Sequence, residues 1–192
     1  MGRKAHFKQE EFIEAAIEII AKDGLGALTI AALAKHINAP VGSLYHRFPS
    51  RDALLAELWL NLIELSQKEF LKNLQDDGLQ AVLSGLKWVR THPNEARVML
   101  LYRIDDLTSS EWPEDLKKRA KCLAKESHQG IGSFIKKQFG RVTKEYTDRT
   151  FFALFDAPLG IYRRYLKNNQ IPPESVAVLL QETYEAVIEK AK

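Results

Sequence analysis

Val41, Gly42, Ser43, Tyr45, His46 and Arg47 fall within seven consecutive positions. A helix built only to fill a core has no use for so many hydrogen-bonding side chains. Gly42 and Ser43 are small enough for a backbone to come close to another surface, and Val41 can touch a thymine methyl. Ser43 can hydrogen-bond a base edge or a phosphate. Leu44 and Phe48, four apart, share a helix face and point the other way, into a small core. Tyr45, His46 and Arg47 suit flanking phosphates, which position a protein without reading sequence. Thr29, at a helix N-terminus, and Arg51, opening a later helix, can add two more phosphate contacts. Small residues at the start of a narrow helix, flanked by such donors, fit the major groove of double-stranded DNA.

The elements that must position these residues are legible from breakers and caps. Ile13, Ala16, Ile17 and Ile20 recur at helical spacing from Gln9 to Lys22, and Gly24 ends that helix. Thr29 can cap a second helix carrying Ile30, Leu33, Ala34 and Ile37 inward. Asn38 tolerates positive φ, Pro40 presets a third helix, and Pro49 stops it. Ser50 caps a fourth, with Asp52 in its first turn and Leu54, Leu58, Leu62 and Leu65 along one face. Two short helices, 29–37 and 40–48, joined by a tight turn and braced by the helix before them, make a helix-turn-helix.

Charge supports that reading. No acidic residue falls between Asp23 and Asp52, an interval that holds Lys35, His36, His46, Arg47 and Arg51, and Arg3, Lys4 and Lys8 precede it. The result is a local positive field in a chain whose formal net charge is only +3. Enzyme chemistry has no comparable signature. There is no His-Glu-x-x-His, no Gly-rich phosphate loop and no nucleophile elbow. Asp105 and Asp106 read as a solvated loop pair, and Cys122, the only cysteine, permits no internal disulfide. The sequence therefore leads us to expect no catalytic residue, no metal and no cofactor. No apolar run approaches the ~18 residues of a membrane span, and the first residues lack a signal peptide's apolar segment. His6 stands where a myristoylation motif would want Ser or Thr. The expectation is a cytoplasmic protein.

Beyond residue 75 the periodicity stays helical, with helices expected at about 78–91, 94–104, 114–139, 144–168 and 173–190. The fold class is all-α. Its first part, residues 1–52, reads as an N-terminal three-helix helix-turn-helix DNA-binding domain. Residues 53–192 read as a larger helical domain. Phe152, Phe155, Leu159 and Tyr162, and then Val176, Leu179, Leu180, Tyr184 and Val187, recur at helical spacings. Two such richly apolar helices near the C-terminus exceed what one subunit's core needs, which points to a homodimer interface.

The stretch "LTIAALAKHINAPVGSLYHRFPSRDALL" resembles the DNA-binding signature of the tetracycline-repressor (TetR) family of bacterial transcription factors. The matching features are Thr29 before an apolar-periodic helix, Leu33-Ala34, "GSLYHRF" at 42–48 and "SRDALL" at 50–55. Asn38 stands where the family usually has Gly, Pro40 where a Ser or Thr cap is usual, and Arg51 replaces the usual Lys. The resemblance implies a homodimer joined through the last two long helices, with a ligand cavity among the middle ones. Trp59, Leu62, Trp88, Met99, Tyr102, Trp112, Phe134 and Phe155 are candidates to line it around an apolar or aromatic small-molecule effector. Arg103 and His128 are candidate polar contacts. The function expected is a ligand-responsive dimeric transcriptional regulator, a repressor released from a palindromic operator by a small molecule. The fourth helix is expected to be the only long rigid element touching both sites. The alternatives are an enzyme fused to a helix-turn-helix, and a DNA-binding helical protein controlled by a protein partner instead of a small molecule. A cavity in the C-terminal half favours the sensor.

Overall fold

Capping chemistry sets the first four helices. In a computed structural model, which describes residues 8–102 and 112–190, α1 (Gln9–Asp23) ends at Gly24. This glycine takes φ 84° and donates its N–H to the Ile20 carbonyl. A single 3₁₀ turn, Leu25–Ala27, leads to Thr29, whose Oγ1 accepts from the Ala32 N–H at 3.0 Å and opens α2 (Ile30–His36). Asn38 adopts φ 53° and turns the chain into α3 (Val41–Arg47). Ser50 Oγ accepts from the Ala53 N–H at 3.0 Å and starts α4 (Arg51–Asp76). Thr29, Asn38 and Ser50 thus act as the sequence leads one to expect.

The remaining helices are α5 (Gly78–Thr91), α6 (Pro93–Leu101), α7 (Glu114–Phe139), α8 (Lys144–Phe151), α9 (Ala157–Lys167) and α10 (Val176–Tyr184). There is no strand among the described residues, and the fold is all-α as expected. Two boundaries differ from the sequence reading for backbone reasons. The expected helix at 144–168 is divided by a widened π-helical turn, Phe152–Asp156. Soon after it comes Pro158, which has no N–H to give the Leu154 carbonyl. The last helix begins at Val176 instead of 173, after Pro172 and Pro173, and closes in a second π-helical turn, Glu185–Glu189. The α6 helix stops at Leu101; residues 103 and 104, expected to continue it, lie outside the described residues, as do Arg3, Lys4 and the Asp105-Asp106 pair.

Packing produces two principal cores. The first gathers Phe12, Leu28, Leu33, Leu44 and Phe48 with Leu54, Leu55, Leu58 and Leu62 of α4 and Val98 of α6. Phe12 meets Phe48 edge-on, with ring centroids 6.0 Å apart. The second joins α5 and α7–α10 around Val82, Phe134, Ile135, Tyr162 and Leu180, with Leu74 of α4 and Ala96 and Leu100 of α6. At 26 residues, α4 is about 39 Å long and reaches both.

Two sequence expectations change here. Leu65 is 60% exposed, because the inward stripe of α4 continues from Leu62 at four-residue steps through Ser66 and Phe70 to Leu74. And α4 is not the only connection, since α6 packs against α1 and its Met99 touches both cores. The polar side of α4 is clamped to α7 by Arg119. Its guanidinium donates to Glu57 Oε1 at 2.6 Å, Asn61 Oδ1 at 3.0 Å and Glu64 Oε1 at 2.6 Å. These bonds hold the Glu64 carboxyl below its ordinary pKa and raise that of Arg119.

The closest approach in the second core is at Gly78, which opens α5 under Phe134 and Tyr184. A Cβ there would lie 2.5 Å from the Tyr184 hydroxyl and 2.6 Å from the Phe134 ring. Burial, helped by the charges of Asp77 and Glu189, pushes the Tyr184 phenol up to about 12. Gly78→Ala should destabilise the chain by about 1–3 kcal/mol through overpacking. Urea denaturation reads this directly, and an unchanged midpoint would show that the two rings give way freely.

Candidate nucleic-acid interface and ligand cavity

The turn between α2 and α3 places the α3 residues as a groove-binding helix requires. Val41 and Tyr45 are 44% and 56% exposed, and Gly42, His46 and Arg47 are exposed beside them, while Leu44 and Phe48 are buried beneath. A Cβ on Gly42 would meet nothing within 4 Å, so packing inside the chain does not demand glycine there. Arg47 lies over the Phe12 ring, 5.7 Å from its centroid. Pro40 precedes α3 without a side-chain cap. Instead, Ser43 Oγ donates back to the Pro40 carbonyl at 2.6 Å. Its proton is thereby committed to the turn, and its oxygen is left as an acceptor. Thr29 Oγ1 accepts within its own helix and keeps its proton to donate.

Arg51 has a different place from the groove edge expected of it. Its Nε donates to the Leu28 carbonyl at 2.7 Å and its Nη2 to the Leu25 carbonyl at 2.9 Å. The Leu25 carbonyl already closes the 3₁₀ turn by accepting from the Leu28 N–H at 3.3 Å, and Arg51, from the first turn of α4, adds a charged donor to it and to the Leu28 carbonyl. It therefore locks the loop that presents Thr29. Sequence reasoning also missed the bond of 3.0 Å between His36 Nε2 and Glu18 Oε2, which ties α2 to α1.

Below this unit lies a cavity of about 340 Å³. Its walls come from α4 (Trp59, Ile63, Phe70), α5 (Val82, Trp88), α6 (Met99, Leu100), α7 (Ser127, Ile131) and the stretch from Leu154 to Arg163. Of the residues expected to line it, Trp59, Trp88, Met99 and Phe155 do. The others do not, and packing explains each case. Leu62 is fully buried in the first core. Tyr102 packs on that same core, its hydroxyl 3.8 Å from where a Gly24 Cβ would stand. Trp112 covers Ala56, Leu60 and Leu116 in a small satellite cluster. His128 is exposed on α7, and Phe134 is buried over Gly78. Arg103 lies outside the described residues. Among the lining residues missed is the charged Arg163, whose signal was present: it follows Phe155 and Leu159 at four-residue steps.

The expected dimer face also divides. Tyr162, Val176, Leu180 and Tyr184 are buried within the chain's own core, while Phe155 and Leu159 face the cavity. Val187 is half-buried. Phe152 and Leu179, each 49% exposed, remain on the surface and are joined by Phe151 and Val178. The helical spacing correctly marks apolar helices but does not separate the face turned inward from the face turned out.

Among the described residues, no group of three or more His, Cys, Asp or Glu side chains could hold a metal ion, and no helix is long and apolar enough to cross a membrane. The loop lock yields a direct test. Arg51→Met strips two carbonyls of a charged donor and should lower folding stability by about 1–3 kcal/mol. An unaltered denaturation midpoint would show that water replaces the guanidinium without loss.

Comparison with known proteins agrees with this geometry. Residues 12–58 match the family model of bacterial regulatory proteins, tetR family. The probable acrEF/envCD operon repressor of Escherichia coli (strain K12) is 29% identical over 102 residues, 49% of this chain and 46% of that protein. The chain thus spans about half the length of the curated relatives it matches. Among solved structures, FadR from Bacillus subtilis in complex with stearoyl-CoA superposes with a TM-score of 0.70 at 17% identity, covering 94% of this chain and 98% of that one. A TetR family transcription regulator from Marinobacter aquaeolei VT8 gives 0.65 at 17% identity, covering 93% and 94%. At those identities the structural likeness speaks for the fold. What these comparisons establish is an N-terminal domain, residues 12–58, that matches the tetR family of bacterial regulatory proteins, on a chain whose fold resembles those solved regulators.

Proposed function

We propose that the protein is a dimeric transcriptional repressor that binds a palindromic operator and leaves it when a small molecule fills the cavity. The observation that carries this reading is the placement of the cavity. Its wall residues Trp59 and Met99 pack against the core that seats α2 and α3, so filling the cavity presses on the DNA-binding unit. Residues 1–52 supply the DNA contacts and 53–192 the sensor, although the first core runs on through Leu62 and Val98. Val41, Gly42 and the Ser43 oxygen are suited to base edges, and Thr29, Tyr45, His46 and Arg47 to phosphates. FadR, of similar fold, was solved with stearoyl-CoA, and the E. coli relative is named an operon repressor. Both support the sensor reading over control by a protein partner.

The exposed strip of Phe151, Phe152, Val178 and Leu179 is the surface we assign to the second copy, since the elements carrying it pack side by side. Two-fold symmetry in the protein would be mirrored in the operator, with one α3 in each of two successive major-groove turns.

Selection from random duplex DNA tests the proposal and should return a palindrome. Leu179→Glu should yield monomers in sedimentation and lose operator binding while keeping its helix content. An asymmetric site bound equally well by a monomer would refute the dimer. Arg47→Ala should lower the salt slope of binding by about one unit, whereas Arg51→Met should leave it unchanged. A slope that responds to Arg51 instead would return that residue to the phosphate backbone.

A further inference from the structure

Taking the cavity as the effector site, we infer that it selects an amphipathic anion and rejects lipophilic cations, with Arg163 reading the charged head group. The first observation is electrostatic. Trp59, Phe70, Trp88, Ile131 and Phe155 make the walls apolar, and Arg163 is the only charged side chain among the described lining residues. A cationic ligand would meet a like charge and no carboxylate among the described lining residues, and because Arg163 is exposed it offers that charge where a head group can stay in contact with water while its tail enters the apolar walls.

The second observation concerns hydrogen bonding. Gln67 has given its amide N–H₂ to the Leu123 carbonyl, and Ser66 has its hydroxyl against the Ile63 carbonyl. The Tyr162 hydroxyl, buried in the wall, has no partner among the described residues, and burial drives the phenol well above its ordinary pKa. Arg163 uses Nε alone, on the Leu100 carbonyl at 2.9 Å, which leaves its terminal nitrogens without a partner among the described residues. The exposed Arg163 fork can only donate and the buried Tyr162 hydroxyl can donate beside it, so the ligand they suit carries acceptor oxygens. A carboxylate is the simplest head group that satisfies a guanidinium fork.

The same bond links selection to response. The Leu100 carbonyl is one of the last of α6, which packs against α1. A head group that draws the guanidinium away removes that anchor, and α6 can then shift against the DNA-binding unit.

Decanoate, decan-1-ol and decylammonium share one chain length and differ in head-group charge. Trp59 and Trp88 in the walls report occupancy by fluorescence. Decanoate should bind at least about tenfold more tightly than either of the others. Arg163→Gln, which keeps a donor for Leu100 but removes the charge, should abolish that preference. Equal affinities for decanoate and decan-1-ol, or a preference for decylammonium, would overturn the anion assignment while leaving the cavity as the effector site. Binding of none of the three would overturn both. The wild-type comparison decides the matter even if the variant folds poorly.

Discussion

Everything in this chain depends on two helices being shared by two cores. The α4 helix puts Leu54, Leu55, Leu58 and Leu62 into the core beneath the helix-turn-helix and Leu74 into the core around the C-terminal helices. The α6 helix does the same within nine residues, with Val98 on one side and Ala96 and Leu100 on the other. Packed interiors resist continuous deformation, so neither core can repack without moving an element of the other. The cavity lies where they meet, and Met99 belongs to its wall and to both cores at once.

Polar contacts determine which parts of this frame are fixed. The Arg119 clamp holds the middle of α4 to α7 through Glu57, Asn61 and Glu64. Arg51 holds the start of α4 to the loop before α2, and Arg163 holds the end of α6 to α9. The third lines the cavity, so a ligand seated there meets it directly. On the proposed mechanism, occupancy acts first on α6, and α4 carries the consequence along its length.

What could be read in advance divides along physical lines. Caps and turns depend on a few adjacent residues, so Gly24, Thr29, Asn38 and Ser50 announce themselves, as do the outward positions of α3. The identity of the cavity wall depends on which stripe of each helix faces the gap, and this is settled by packing between distant segments. Trp59, Trp88 and Met99 were found because apolar residues on middle helices have few other places to go. Trp112 and Phe134 satisfy the same rule yet fill other contacts. The loop contacts of Arg51 and the wall position of Arg163 could not be read in advance because a guanidinium's partners are carbonyls 23 to 63 positions away, and periodicity carries no trace of these. Tyr162, Leu180 and Tyr184 show the same limit on the C-terminal helices, where spacing marks apolar faces but not which of them the chain keeps for itself.

The central claim is that cavity and DNA surface are coupled through these shared helices, and linkage makes it measurable. If a ligand weakens operator binding by a factor, operator must weaken ligand binding by the same factor. Calorimetric titration of decanoate into the protein, free and saturated with its selected duplex, tests this most directly. The account predicts a lower affinity in the DNA complex, by the same factor that decanoate weakens operator binding; a ~100-fold effect corresponds to about 2.7 kcal/mol of coupling. Equal decanoate affinity with and without the duplex would contradict it.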